Sequence, residues 1–135
     1  MSFVKKWNTN VVNWDELIET YNTAIETGAE VKMLLPGFFA CHNAHIIEKV
    51  QKAMKMIDNS IDAHCYFNIA TRGKTFGWHT DTVNVYYWQC IGQVKILIED
   101  KEFLLEPGDM VKIPKGVKHN VIPLTPRLGI SISVA

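Results

Sequence analysis

The sequence predicts a mainly β chain, a barrel or jelly roll, preceded by two helices. Two observations carry this expectation. From Asp62 onward, short apolar runs alternate with turn residues, which gives candidate strands over 63–70, 75–81, 83–91, 93–99, 102–106, 109–113, 118–122 and 128–134. Before Asp62, apolar residues recur at helical spacing instead.

Asn13 is placed to cap the first helix, with Glu16 three residues on to close a capping box. Leu17, Ile18, Tyr21 and Ile25 then repeat at helical spacing, and Gly28 ends the run. Val31 to Leu35 reads as a short strand stopped by Pro36-Gly37. A second helix is expected from about Asn43. Its apolar stripe is Ile46, Ile47, Val50, Met54 and Ile57, with Glu48, Lys49, Gln51, Lys52 and Lys55 outward. Both helices read as packing elements. In the β part, Glu99-Asp100-Lys101-Glu102 reads as a tight hairpin turn, and Pro107-Gly108-Asp109 and Pro114-Lys115-Gly116 punctuate the later strands. No internal repeat or linker interrupts the pattern. The expectation is one domain over 1–135, with a helical part at 1–61 and a β core at 62–135.

Composition excludes several function classes. Lys plus Arg and Asp plus Glu both total 14, so no dedicated nucleic-acid or membrane face is expected. The local group Lys112, Lys115 and Lys118 reads as a solvated edge, with attraction of an anionic substrate as the sharper alternative. Cys41, Cys65 and Cys90 have no paired spacing and read as buried free thiols of a reducing compartment. No apolar signal core follows Met1, and no run approaches the ~20 apolar residues of a membrane span. A cytoplasmic protein is the expectation.

The chemistry lies in His79, Asp81 and His119. On a strand, residues two apart share a face, so His79 and Asp81 point together. A later strand supplies His119. Two imidazoles and one carboxylate on one side of a metal leave positions open, the arrangement of non-haem Fe(II) oxygenases. By the same parity Val85, Tyr87, Gln89 and Ile91 face inward with the ligands. Trp78, Trp88 and Cys90 then face the helices. His42 and His45 read as surface residues and His64 as structural.

These residues resemble the cupin motifs. Gly108, Pro114, Gly116 and His119 match the second motif through its histidine, with Pro123 where an Asn is usual. Gly73, His79 and Gly92 match the first, with Asp81 for the usual second histidine and Val85 for the usual glutamate. The set resembles the 2-oxoglutarate/Fe(II) oxygenase branch of the cupin superfamily, over roughly residues 62–135, and so implies a double-stranded β-helix. Asn68 through Asp81 is similar to the segment before the ligands in DNA-alkylation-repair dioxygenases, which makes Asn68 a candidate contact of 2-oxoglutarate. His79 through Gly92 looks like JmjC hydroxylases, including ribosomal-protein oxygenases. Their cosubstrate lysine falls at Val94, and Lys95 faces outward by parity.

Arg127, eight residues after His119, is a second candidate anchor. A guanidinium suits a carboxylate, and many relatives of this type follow the Arg with Ser or Thr two residues on. Gly129 stands there and Ser131 follows; Tyr66 and Tyr87 are further hydroxyl candidates. The resemblance implies Fe(II), or another divalent metal such as Ni, Mn or Zn, on His79, Asp81 and His119. 2-Oxoglutarate is the implied cosubstrate and C–H hydroxylation the implied reaction. Two alternatives remain open: a metal cupin with isomerase or cosubstrate-free dioxygenase activity, which Val94 favours, and a non-enzymatic binder of a small anion. The expected partner is a small molecule or an amino-acid side chain, and the apolar helical part offers a surface for a homodimer.

Overall fold

Strict alternation along the last strand sets the architecture. In β10 (Arg127–Val134), Leu128, Ile130 and Ile132 enter one apolar core, while Arg127, Gly129 and Ser131 turn to the other face. The structure is a computed structural model and describes residues 3–27, 29–70 and 74–135. Gly28 and Gly73, named above as a helix stop and a motif glycine, lie outside the described residues.

Among the described residues, ten strands and two α-helices follow one another as β1 (Phe3–Val4), α1 (Trp14–Ala24), β2 (Val31–Leu35), β3 (Phe38–Cys41), α2 (Glu48–Met54), β4 (Ser60–Asn68), β5 (Asn84–Ile91), β6 (Val94–Ile98), β7 (Lys101–Leu105), β8 (Met110–Ile113), β9 (His119–Pro123) and β10. They form a seven-stranded sheet, β1-β8-β5-β10-β4-β3-β2, and a three-stranded sheet, β7-β6-β9. Every pairing is antiparallel.

One core joins α1 and α2 to the large sheet. Leu17 and Tyr21 of α1 and Val50 and Ala53 of α2 share it with Cys65, Trp88, Cys90 and Ile130. The second core gathers β5 and β8 of the large sheet with β6 and β7 of the small one, through Val85, Tyr87, Val94, Ile96, Leu105, Val111 and Ile113. Burying this apolar surface is the dominant favourable term in such a fold.

The capping box at Asn13 and Glu16 forms as expected, with both reciprocal hydrogen bonds in place. Ile18 and Ile25 are exposed, so the buried stripe of α1 is narrower than the sequence suggested. The second helix is shorter too. A 3-10 turn at Ala44–Ile46 precedes it, Ile47 is extended, and Ile46 faces solvent. The 1–61 segment is not purely helical, since β1, β2 and β3 all join the large sheet. The sequence pattern does not announce Phe38–Cys41 as a strand, because Pro36-Gly37 reads as a stop, whereas it turns β2 back into β3. The Glu99-Asp100 hairpin is present, with Ile98 opposite Lys101 and Glu99 at φ 54°. Lys95 points outward to Glu102 and Val94 is buried, as parity requires.

The candidate strand at 75–81 does not form. Only His79 is paired, in an isolated bridge to His119. Trp78 is consequently half exposed rather than packed between sheet and helices. Ile91 also departs from parity and packs on the helix-side core, near the register shift between Leu128 and Gly129.

Candidate metal centre and anion pocket

Backbone pairing builds the centre first. His79 N donates to His119 O, and His119 N donates to His79 O, both at 3.0 Å. That reciprocal bridge sets the two imidazoles side by side, with ring centroids 4.2 Å apart. Asp81 is fixed from the facing turn, where Gly116 N donates to its carbonyl at 2.9 Å. The Asp81 carboxylate then stands 3.2 Å from His119 Nε2 and 3.8 Å from His79 Nε2. One donor atom from each of the three residues lies within 4.8 Å of the others.

The second ring nitrogens define the tautomers. His79 Nδ1 sits 2.9 Å from Gly77 O, and His119 Nδ1 sits 3.0 Å from Val117 O. A carbonyl only accepts, so each Nδ1 carries a proton; each Nε2 is turned toward Asp81, where it can donate a proton to the carboxylate without a metal or offer its lone pair to one. Outer hydrogen bonds of this kind orient metal-bound histidines. The three residues therefore fit a divalent metal with open positions, and Val85 adds no fourth donor. Without a metal the cluster polarises itself. The hydrogen bond from His119 holds the Asp81 carboxyl below the usual carboxylate range. Burial pulls His119 down, but Asp81 and the Val117 carbonyl outweigh it and raise its pKa.

A cavity of about 410 Å³ opens from this centre. Phe38, Phe76, Val85, Ile113 and Val121 give it an apolar wall, and Tyr66, Thr75, Tyr87, Arg127 and Ser131 give it polar groups. The sequence pattern does not mark Phe38 and Phe76 as lining residues: Phe38 lies on β3, which follows the Pro36-Gly37 turn, and Phe76 lies in the unpaired segment before His79. Phe76 packs edge-on against Phe38, Tyr66 and His79, at centroid distances of 5.1, 5.5 and 5.3 Å.

Arg127 is the unusual member. It is 2% exposed, yet among the described residues no carboxylate lies in salt-bridge range of it. Its Nε donates to Asn68 Oδ1 at 2.7 Å, Nη1 donates to Tyr87 Oη at 3.3 Å, and the guanidinium stacks over Phe38 at 5.5 Å. Asn68 does not line the cavity as the resemblance implied. It stands behind Arg127, with its amide nitrogen donating to Lys74 O and Gly37 O. Tyr87 donates to Gln89 Oε1 at 2.7 Å. Burial raises the phenol pKa of Tyr66 and of Tyr87, so both stay neutral.

His42 is half buried rather than a surface residue. Its Nδ1 lies 3.1 Å from His64 Nδ1, and Asp62 stands 3.8 Å from the other His64 nitrogen. His45 is exposed. The lysine group reads as the solvated edge, with Lys112 over the Tyr86 ring at 5.0 Å. The three cysteines are free and buried, and burial pushes Cys90 up to about 12. Among the described residues, no helix is long and apolar enough to cross a membrane.

No family model and no curated protein matches the sequence. Solved structures do match the fold. The Escherichia coli ribosomal oxygenase YcfD, in complex with cobalt and 2-oxoglutarate, superposes with a TM-score of 0.75 at 18% identity. The match covers 98% of this chain and 47% of that one, so the chain spans about half the oxygenase's length. KdgF from Halomonas sp. matches with a TM-score of 0.60 at 20% identity, over 78% of this chain and 88% of that one. A cupin superfamily protein from Desulfitobacterium hafniense matches at 0.50 and 15%, over 58% and 69%. The fold is that of the cupins. Within it, the structure carries the two-histidine, one-aspartate cluster His79, Asp81 and His119.

Proposed function

We propose that the protein is a metal-dependent oxygenase that uses Fe(II) and 2-oxoglutarate to hydroxylate a small molecule or an amino-acid side chain, in a closed double-stranded β-helix. The observation that carries the reading is Arg127. A buried guanidinium without a carboxylate partner is costly, and an anionic ligand offsets that cost. It lines the same cavity as His79, Asp81 and His119. A cavity that binds metal at one place and a carboxylate at another suits a short keto-dicarboxylate. That the matched E. coli oxygenase holds cobalt and 2-oxoglutarate supports the reading.

His79, Asp81 and His119 would hold the metal. When bound, it supplies a redox-active Lewis-acidic centre at which O2 and 2-oxoglutarate react. The chain's own residues do the rest. The carbonyl-bound Nδ1 protons keep both Nε2 atoms free to coordinate. Asp81 contributes the negative charge that lowers the net charge of the site. Arg127 attracts the far carboxylate, with the neutral hydroxyls of Tyr66 and Ser131 beside it. The apolar wall limits water around the reacting groups.

Anaerobic titration of the apo-protein with Fe(II), then 2-oxoglutarate, tests this. The weak visible charge-transfer band of the chelate should form and should vanish in Arg127→Ala. Metal binding without that band moves the protein to a second reading, a metal cupin that does not use 2-oxoglutarate. Val94, at the JmjC lysine position, and the likeness to KdgF favour that alternative. Anion binding without metal would leave only a small-anion binder. The reading extends to a soluble cytoplasmic enzyme, with a homodimer through the helical part.

A further inference from the structure

We infer that Tyr87 and Gly129 form a compensating pair that positions Arg127, so that Tyr87 holds the anchor and does not itself donate to the anion. The inference rests on the reading of Arg127 as the carboxylate anchor and goes on to say how this chain builds it.

Proton accounting gives the first half. Gln89 Nε2 donates to Ile91 O at 2.7 Å and to Gly92 O at 3.0 Å. Two carbonyls cannot face the amide oxygen, so the orientation of Gln89 is fixed with Oε1 toward Tyr87. Tyr87 has one hydroxyl proton, and it goes to Oε1 at 2.7 Å. The phenol oxygen is left only lone pairs, and Arg127 Nη1 donates to it at 3.3 Å. Tyr87 therefore has no proton to give a carboxylate in the cavity. The chain Gln89–Tyr87–Arg127, with Asn68 on Nε, orients the guanidinium from two sides.

Sterics give the second half. A Cβ at Gly129 would lie 2.0 Å from Tyr87 Oη, 2.4 Å from Cζ and 2.7 Å from Cε2. The φ of Gly129 is not in the left-handed region, so what requires glycine is the phenol and not the backbone. Tyr87 on β5 fills the space that a side chain two residues after Arg127 on β10 would occupy. A hydroxyl carried by residue 129 would fall close to where the phenol oxygen stands. The missing Ser or Thr after the arginine is thus replaced from the neighbouring strand.

The test is a double-substitution cycle on Fe(II)-loaded protein under anaerobic conditions, with the 2-oxoglutarate Kd read against the Fe(II) Kd. Gly129→Ser and Tyr87→Leu alone should each weaken 2-oxoglutarate about tenfold or more, with Fe(II) affinity unchanged. Gly129→Ser/Tyr87→Leu together should recover to within about threefold of wild type. A double variant as weak as the product of the singles overturns the inference. Should Gly129→Ser fail to fold, Tyr87→Phe keeps the ring and removes only the oxygen. Wild-type 2-oxoglutarate affinity in that variant also overturns it. The side-chain Nη1–H resonance of Arg127, the group that donates to Tyr87, serves as a readout without ligand in ¹⁵N-labelled apo-protein. It should be slow to exchange in wild type, fast in each single variant and slow again in the double variant. If wild type binds Fe(II) but not 2-oxoglutarate, the oxygenase reading falls, and this resonance alone decides the positioning role.

Discussion

His79 and His119 are 40 positions apart, yet each donates its backbone N–H to the other's carbonyl at 3.0 Å. Each also ties its Nδ1 to the carbonyl two residues before it, at Gly77 and Val117. The two imidazoles are thus set by the same device, and none of those bonds involves Asp81. Asp81→Ala should therefore abolish Fe(II) or Co(II) binding while changing stability by less than about 1 kcal/mol, because a partly exposed ion pair contributes little. Metal titration followed by urea unfolding checks both halves. Wild-type metal affinity would remove Asp81 from the ligand set.

Arg127→Met should separate binding from stability. Removing the guanidinium takes a buried cation out of the fold, which is favourable, and orphans Asn68 Oδ1, which costs about 1–3 kcal/mol. The two oppose each other, so the unfolding midpoint should move little while 2-oxoglutarate binding is lost. A large destabilisation with intact 2-oxoglutarate binding would make Arg127 a structural residue.

Trp88→Ala should do the reverse. Trp88 is fully buried, packs edge-on with Trp7 at 5.9 Å and donates Nε1 to Asn8 O at 2.9 Å. Deleting it should cost about 3–5 kcal/mol. It faces the helix-side core, so the folded fraction should bind Fe(II) with unchanged affinity. A fall in metal affinity of the folded fraction would mean that the two cores are coupled.

The sequence carried the strands best where one face is buried. Alternation in β5 and β10 was legible because a one-residue slip would turn Arg127 and Tyr87 into the helix-side core. The three candidate ligands were legible as a set because few residue types suit that chemistry, and the structure brings them together. The 75–81 segment was not, because Thr75, Phe76, His79 and Asp81 all line the cavity without a partner strand. Asn68 shows a related limit. Strand parity gives the face of a residue but not its partners, and the Asn68 Oδ1 is taken by Arg127 Nε. The Tyr87–Gly129 contact joins two strands through one phenol, and no local pattern in either strand encodes it.

The pair His42 and His64 gives the apo-protein a predictable pH response. Burial lowers the His64 pKa most, and His42 lowers it further against the opposing pull of Asp62. Tyr66, at a ring distance of 6.5 Å, is the neutral aromatic neighbour on the same strand. In the unfolded chain His64 titrates near its ordinary 6.5. Between that value and the lower folded one, the unfolded state binds more protons, so stability rises with pH across the window. On acidification from 6.5 the His64 contribution is therefore lost until the folded pKa is reached, and stays constant below it. The raised pKa of His119 acts above 6.5 and with the opposite sign, so the two separate on the pH axis. Urea midpoints measured between about pH 5 and 6.5 should fall with acid in wild type and flatten in His64→Gln. His42→Gln should flatten the slope only in part, because burial remains. An unchanged slope in His64→Gln would show that another group titrates in that window.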